Sequence, residues 1–190
     1  MDSKATALNV AEKKMQFMHE EIWMLTIAGA FQRAKVYKRE VKEKAKKEFK
    51  DKLQDQLVAI AKQYAVDVTE KKHLENIYTI CQLKDKNLKA GSLNFGISQK
   101  LLNLYLKYLW CLGQILPPPH FPVDSIIQTA LKREARKFNL ESKEPFPWTK
   151  IKNEKDYLAI IDYARKVMHK RGGQDLATME LELFGRRQAE

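Results

Sequence analysis

Apolar residues recur every three to four positions along most of the chain, which is the period of a helix with one buried face. This spacing predicts a helix over about residues 4–31 and a second over about 33–65, followed by a short helix after Asp67. Asp67 and Glu70 have the spacing of an N-terminal capping box. No segment alternates apolar and polar residues for long, so the pattern predicts an all-α fold.

The predicted helix over about residues 98–113 is apolar on nearly every side. A helix of this kind is buried all round, so we expect it at the centre of a compact, orthogonal multi-helix bundle. Gly113 is its expected C-terminal cap. In the preceding loop over 84–96, Gly91 and Gly96 are expected to take backbone angles that other residues avoid.

Two polar residues mark further helix beginnings in the C-terminal part of the chain. Asp124 offers an N-cap to a helix over about residues 125–138, and Asn153 to one that ends near Arg171. A last amphipathic helix is predicted over residues 174–184.

The inward-facing positions of two of these helices can be named from the same period. In the first helix and in the helix after Asp124, the expected inward residues are Met15, Met18, Ile22, Leu25, Ile126, Ile127, Ala130 and Leu131.

The length of 190 residues suits one domain, or two small lobes that share a core. We expect a single all-α unit over residues 1–190. It divides into long N-terminal helices over about 4–65, a middle segment over about 70–113, and C-terminal helices over about 124–185.

The chain is strongly basic, with 35 Lys and Arg against 24 Asp and Glu and a formal net charge of +11. Such a surplus favours polyanionic partners. Part of it is concentrated in residues 33–52, which hold ten basic and four acidic residues. The simplest interpretation of this segment is a solvated helix face with the pairs Glu40–Lys44 and Glu43–Lys47. The alternative is a helix that binds phosphates.

Several classes of protein are disfavoured by the sequence. No apolar run approaches the ~20 residues of a membrane span, and the N-terminus lacks the layout of a secretory signal. Cys81 and Cys111 lie in apolar helical context, which predicts buried free thiols and a cytoplasmic location. The four histidines are far apart in sequence and lack ligand spacing, so neither a metal nor another cofactor is predicted.

Candidate chemistry begins at the start of the predicted central helix, in the run Gly96-Ile97-Ser98-Gln99-Lys100. Backbone N–H groups at a helix N-terminus are unpaired and lie at the positive end of the helix dipole, so this turn is a candidate phosphate site. An amine placed there and shielded from water is disfavoured as an ammonium ion, which makes Lys100 a candidate nucleophile.

The run from Gly96 to Leu106 resembles the hairpin and second helix of the helix-hairpin-helix DNA glycosylases, whose motif reads Leu-Pro-Gly-hydrophobic-Gly-x-Lys. Residues 122–127 resemble the Val-Asp segment of that family. By position, Lys100 matches the lysine that attacks the sugar C1′ in bifunctional members, and Asp124 matches the catalytic aspartate. The chain departs from the motif at Ser98, where the family has glycine, and in a longer connection between the lysine and the aspartate.

The resemblance covers about residues 90–131 and implies a DNA glycosylase or abasic-site lyase that acts on a flipped-out damaged base. In this hypothesis DNA is the partner. Asp124 stabilises charge at C1′, and Lys100 forms a Schiff base. The expected contacts with nucleic acid come from Gly96, Ser98, Gln99, His120 and Trp148.

Simpler interpretations stand beside this hypothesis. Asp124 is explained as a plain helix cap, Trp148 as a loop anchor, and His120 as an ordinary loop histidine. The chain could then be a non-enzymatic basic helical protein that binds nucleic acid, or a protein-interaction module. An open cleft shared by Lys100 and Asp124 would favour the enzyme.

Overall fold

The computed structural model describes the backbone of residues 2–184 and the side chains of residues 9–184. This part of the chain folds into seven α-helices and no β-strand, which confirms the all-α prediction. Two short 3-10 turns, Lys62–Ala65 and Trp148–Lys150, supplement them. The helices are α1 (Asp2–Phe31), α2 (Glu43–Ala61), α3 (Glu70–Cys81), α4 (Phe95–Cys111), α5 (Ser125–Lys137), α6 (Glu154–Arg171) and α7 (Leu176–Leu183).

Helix α4 is the central helix, as predicted, and every residue from Phe95 to Lys107 is buried. Helices α1, α2 and α3 and the turn Trp148–Lys150 pack against it. A single cluster of buried apolar residues draws members from all seven helices. Gly113 follows the end of α4 with a φ of 70°, the left-handed conformation expected of a helix terminator.

Helix α1 uses a different face from the predicted one. Ile22 is buried as expected, and the other buried residues described in this helix are Thr26 and Ala30. Trp23, Ile27 and Phe31 pack partly buried against the core. The helix crosses α4 at Gly29, where an added Cβ would lie 2.8 Å from the Leu104 side chain, so close approach near the C-terminal end sets the face. The predicted inward residues that are exposed instead are Met15, Met18, Leu25 and, in α5, Ile126.

Residues 33–42 were predicted to be helical and are not. Lys35 and Glu40 have φ angles of 45° and 63°, which an α-helix cannot contain. The segment instead pairs with the loop before α4: the Lys38 N–H donates to Asn87 O and the Lys89 N–H to Val36 O, both at 2.9 Å. These bonds satisfy the backbone without a helix.

Because α2 begins only at Glu43, the predicted pair Glu40–Lys44 does not lie within one helix. Glu43 pairs with Lys46 at 2.6 Å rather than with Lys47.

Helix caps were predicted with mixed success. Asp124 caps α5 and Asn153 caps α6, each by accepting backbone N–H bonds as expected. The cap of α3 is Thr69, which accepts from the Lys72 N–H, so the assignment of that role to Asp67 is wrong. Thr69 immediately precedes the helix, whereas Asp67 lies two residues too early.

The two cysteines differ in exposure. Cys81 is half-buried, but Cys111 is exposed, so the prediction of a buried thiol is wrong there. Cys111 is the last residue of α4, beyond the part that other helices cover. Among residues 2–184, no helix combines the length and the apolar character needed to cross a bilayer.

Candidate functional site

Lys100 and Asp124 meet in the fold. The Lys100 Nζ lies 3.3 Å from Asp124 Oδ2. Asp124 Oδ1 accepts the N–H groups of Ile126 and Ile127, at 2.9 and 3.1 Å. One carboxylate oxygen therefore caps α5 and the other faces the amine. Lys100 lies in the second turn of α4 rather than the first, because the helix begins at Phe95.

Gln99 fixes the relative position of the two groups. Its side-chain amide donates to Val123 O at 2.9 Å and accepts the Val123 N–H at 3.1 Å. Since Gln99 and Val123 directly precede Lys100 and Asp124 in sequence, this double bond holds the amine and carboxylate in register. Gln99 was predicted to contact nucleic acid, but it is fully buried and both ends of its amide are bonded within the protein.

The pair is closely covered rather than set in an open cleft. The Lys100 and Asp124 side chains are 8% and 13% exposed. The Trp148 ring is itself buried, and its centroid lies 4.2 Å from the Lys100 Nζ in a cation–π contact. At these exposures Lys100 and Asp124 do not line an open cleft of the kind that was expected, because little of either side chain reaches solvent.

The backbone N–H groups at the start of α4 already have acceptors inside the protein. Gly96 N–H donates to Ile151 O at 3.0 Å, and the N–H groups of Ile97 and Ser98 donate to the side chain and carbonyl of Asn94. A phosphate would have to displace these acceptors. Ser98 is itself fully buried.

Gly96 is required for a steric reason, not for the unusual backbone angle that was predicted. It is the second residue of α4 and its φ is not positive, unlike that of Gly91 at 74°. A Cβ at Gly96 would lie 1.9 Å from the carbonyl oxygen of Trp148. The absent side chain thus lets the Trp148 turn sit directly on the start of α4.

His120 is fully buried and takes part in a polar network beneath the surface. Its Nδ1 lies 3.2 Å from the Tyr157 hydroxyl and its Nε2 lies 3.2 Å from a Glu70 carboxylate oxygen. Burial lowers the pKa of His120 to about 4, against an opposing effect of Asp162. Burial also holds the pKa of the neighbouring His73 well below its usual value. Both imidazoles are therefore neutral at pH 7.

A second buried ion pair lies on the same helix and was not predicted from the sequence. The Lys107 Nζ lies 2.7 and 2.9 Å from the two carboxylate oxygens of Glu180 in α7. Lys107 is 7 residues after Lys100, which places both lysines on one face of α4. A second lysine at that spacing in an apolar helix was the available signal, but only the fold supplies its partner.

The two ion pairs influence one another. Burial raises the pKa of Glu180, Lys107 opposes that shift, and the negative charge of Asp124 adds to it. Each lysine also faces an aromatic ring, because Phe184 lies 4.1 Å from the Lys107 Nζ as Trp148 does from Lys100. The buried face of α4 thus carries two lysine side chains, and each lies between a carboxylate and an aromatic ring.

The chain has no significant match among protein-family models, curated protein sequences or solved structures. Within the described residues, no three His, Cys, Asp or Glu side chains are grouped as metal ligands.

Proposed function

We propose that the protein is a DNA glycosylase or abasic-site lyase in which Lys100 is the nucleophile and Asp124 the catalytic carboxylate. The observation that supports this most directly is the 3.3 Å contact between the Lys100 Nζ and Asp124 Oδ2. The sequence resemblance requires these two residues to meet, although 23 residues separate them in the chain.

Lys100 attacks C1′ of the damaged nucleotide as a neutral amine, after Asp124 Oδ2 accepts its proton. The new N–C1′ bond replaces the glycosidic bond, and the base leaves with the electron pair and takes up a proton. Opening of the sugar ring then gives a C1′ Schiff base. Loss of a C2′ proton with departure of the 3′-phosphate cleaves the strand.

The surroundings of the pair set a condition on this chemistry. With side chains only 8% and 13% exposed, Lys100 and Asp124 are reached only when their cover moves. Trp148 is the group that must move first, because its ring lies on the amine. It belongs to a three-residue turn between α5 and α6 rather than to a long helix.

Borohydride trapping on a duplex with a single abasic site tests the proposal. Reduction of the Schiff base leaves a stable protein–DNA adduct, which the native protein should form. Lys100→Arg keeps a positive charge beside Asp124 but does not supply a neutral amine, so it should form no adduct. Lys166→Gln, which changes an exposed lysine on α6, should trap like the native protein. An adduct from Lys100→Arg at the native yield would refute the role of Lys100.

A second candidate is a non-enzymatic protein that binds nucleic acid. It is favoured by the cover over the ion pair, which this candidate does not need to open, and by the net charge of +11. In that case Asp124 is a helix cap and Lys100 its structural counter-ion. Salt-dependent DNA binding by the native protein, with no trapped adduct from any lesion, would select this candidate.

A further inference from the structure

We propose that residues 35–39 and 84–89, here called the basic clasp, form the surface that binds the phosphates of duplex DNA. The proposal rests on the proposed function only for the choice of DNA as the polyanion. It needs no reaction at Lys100.

The clasp exists only in the folded protein, because its two halves are far apart in sequence. Backbone bonds join them: Lys38 N–H to Asn87 O and Lys89 N–H to Val36 O, both at 2.9 Å. Tyr37 and Leu88 pair as an isolated antiparallel bridge between them. The two segments thus form one short ribbon that is held together by backbone hydrogen bonds.

Apolar side chains anchor this ribbon to the body. Val36 is 8% exposed and Leu88 is 1% exposed. The ring of Tyr37 packs edge-on against those of Phe31 and Phe49, with centroids 5.9 and 6.2 Å apart. Because the anchors face inward, the charged residues between them face solvent. A fixed backbone also reduces the entropy lost when such a surface binds a partner.

The charge of the clasp is nearly all positive. It contains six basic residues and one acidic residue. The acidic residue, Asp85, is half-buried, and its carboxylate accepts the Asn87 N–H at 2.7 Å. The basic residues are all exposed, and none forms an ion pair with a carboxylate of the described chain: Lys35, Lys38, Arg39, Lys84, Lys86 and Lys89.

The residue Arg33, just before the clasp, contacts the beginning of α5. Its Nη1 donates to the Ser125 hydroxyl at 3.4 Å. Ser125 directly follows Asp124 in sequence. A duplex held by the clasp would therefore run past the beginning of α5, where the amine and carboxylate lie. The basic segment 33–52 thus contributes residues 35–39 to the proposed DNA-binding surface, and these residues precede the helix α2.

Binding of an undamaged 20-base-pair duplex, measured by fluorescence anisotropy over a range of salt concentrations, tests the proposal. The triple variant Lys38→Gln, Arg39→Gln, Lys89→Gln should reduce the slope of log K against log salt by about 3, since each lost phosphate contact accounts for about 1. Its affinity should fall at every salt concentration.

The matched control removes three positive charges from α6, at Lys155, Lys166 and Lys170, which are also exposed. Its slope should remain that of the native protein. If both triple variants lost the same amount of slope and affinity, the proposed role of the clasp would be refuted, because the effect would come from net charge alone. Native affinity in the clasp variant would refute it too.

A second variant guards against a folding defect. Lys84→Gln with Lys86→Gln alters two different basic residues, both in the 84–89 segment, and should reduce the slope by about 2. Binding to anionic phospholipid vesicles without binding to DNA would overturn the assignment to nucleic acid. Loss of DNA binding in the clasp variants, with no trapped adduct from the native protein, would support the clasp and reject the proposed reaction.

Discussion

Removal of Lys107 should destabilise the protein far more than its single ion pair with Glu180 stabilises it. At 2.7 Å the two charges attract by about 6 kcal/mol at an effective dielectric constant of 20. Desolvation of each ion costs several kcal/mol, so the net contribution of the intact pair is near zero. Lys107→Met alone leaves the Glu180 carboxylate, which is 2% exposed, without its counter-ion. We expect a loss of about 3–5 kcal/mol in the free energy of unfolding.

Urea denaturation at pH 7 measures this loss, and a thermal scan should show a decrease of roughly 6–20 °C in Tm for a chain of this size. The double variant Lys107→Met, Glu180→Met removes both charges and should recover most of the loss. Since burial raises the pKa of Glu180, its ionised form is disfavoured in the folded state. The single variant should therefore lose less stability as the pH falls and Glu180 becomes protonated.

A loss of less than about 1 kcal/mol for Lys107→Met, or a loss in the double variant equal to the sum of the two single losses, would contradict this prediction. Either result would mean that Glu180 reaches water or another cation when Lys107 is absent.

Two further predictions concern the polar network and the start of α4. Burial lowers the pKa of His120 to about 4, so the neutral ring contributes about 3 kcal/mol to the free energy of unfolding above its unfolded pKa of 6.5. This contribution is lost as the pH falls toward 4, and urea midpoints at pH 7 and 4.5 should show the loss. His120→Gln should lose that part of the pH dependence. Gly96→Ala should cost about 1–3 kcal/mol and shift the tryptophan fluorescence, because its Cβ would meet the Trp148 carbonyl. Gly91→Ala, where the added Cβ meets nothing, should leave the fluorescence unchanged, and equal spectral shifts in both variants would contradict the steric argument.

Features that depend on neighbouring residues were predictable from the sequence. The all-α fold, the buried α4, the Gly113 terminator and the caps at Asp124 and Asn153 all follow from local spacing and local hydrogen bonds. The N-cap of α3 was predicted at Asp67 and lies at Thr69, two residues later, so the type of cap was local and only its position was wrong.

Features that depend on contacts between distant segments were not predictable. Residues 33–42 have a composition compatible with a helix, but pairing with the loop at 87–89 gives them another way to satisfy their backbone. Gly96 was assigned an unusual backbone angle because the sequence could not reveal the Trp148 carbonyl above it.

The candidate site shows both sides of this distinction. Lys100 and Asp124 were expected to lie close together, and their side chains are 3.3 Å apart. Their cover could not be foreseen, since it comes from a turn nearly 50 residues after Lys100 in sequence. The Lys107–Glu180 ion pair and the pairing of residues 36–38 with 87–89 were not predicted, because each joins remote parts of the chain.

Whether Lys100 is the nucleophile is tested by identifying the residue that carries the DNA remnant after borohydride trapping. The native protein is incubated with an abasic-site duplex, reduced, digested with protease and nuclease, and analysed by peptide mass spectrometry. We expect a sugar remnant on Lys100 of the native protein and none on Lys100 of the Asp124→Asn variant, which lacks the carboxylate proposed to accept the lysine proton. A remnant on exposed lysines such as Lys38 or Lys166, with Lys100 unmodified, would contradict this expectation.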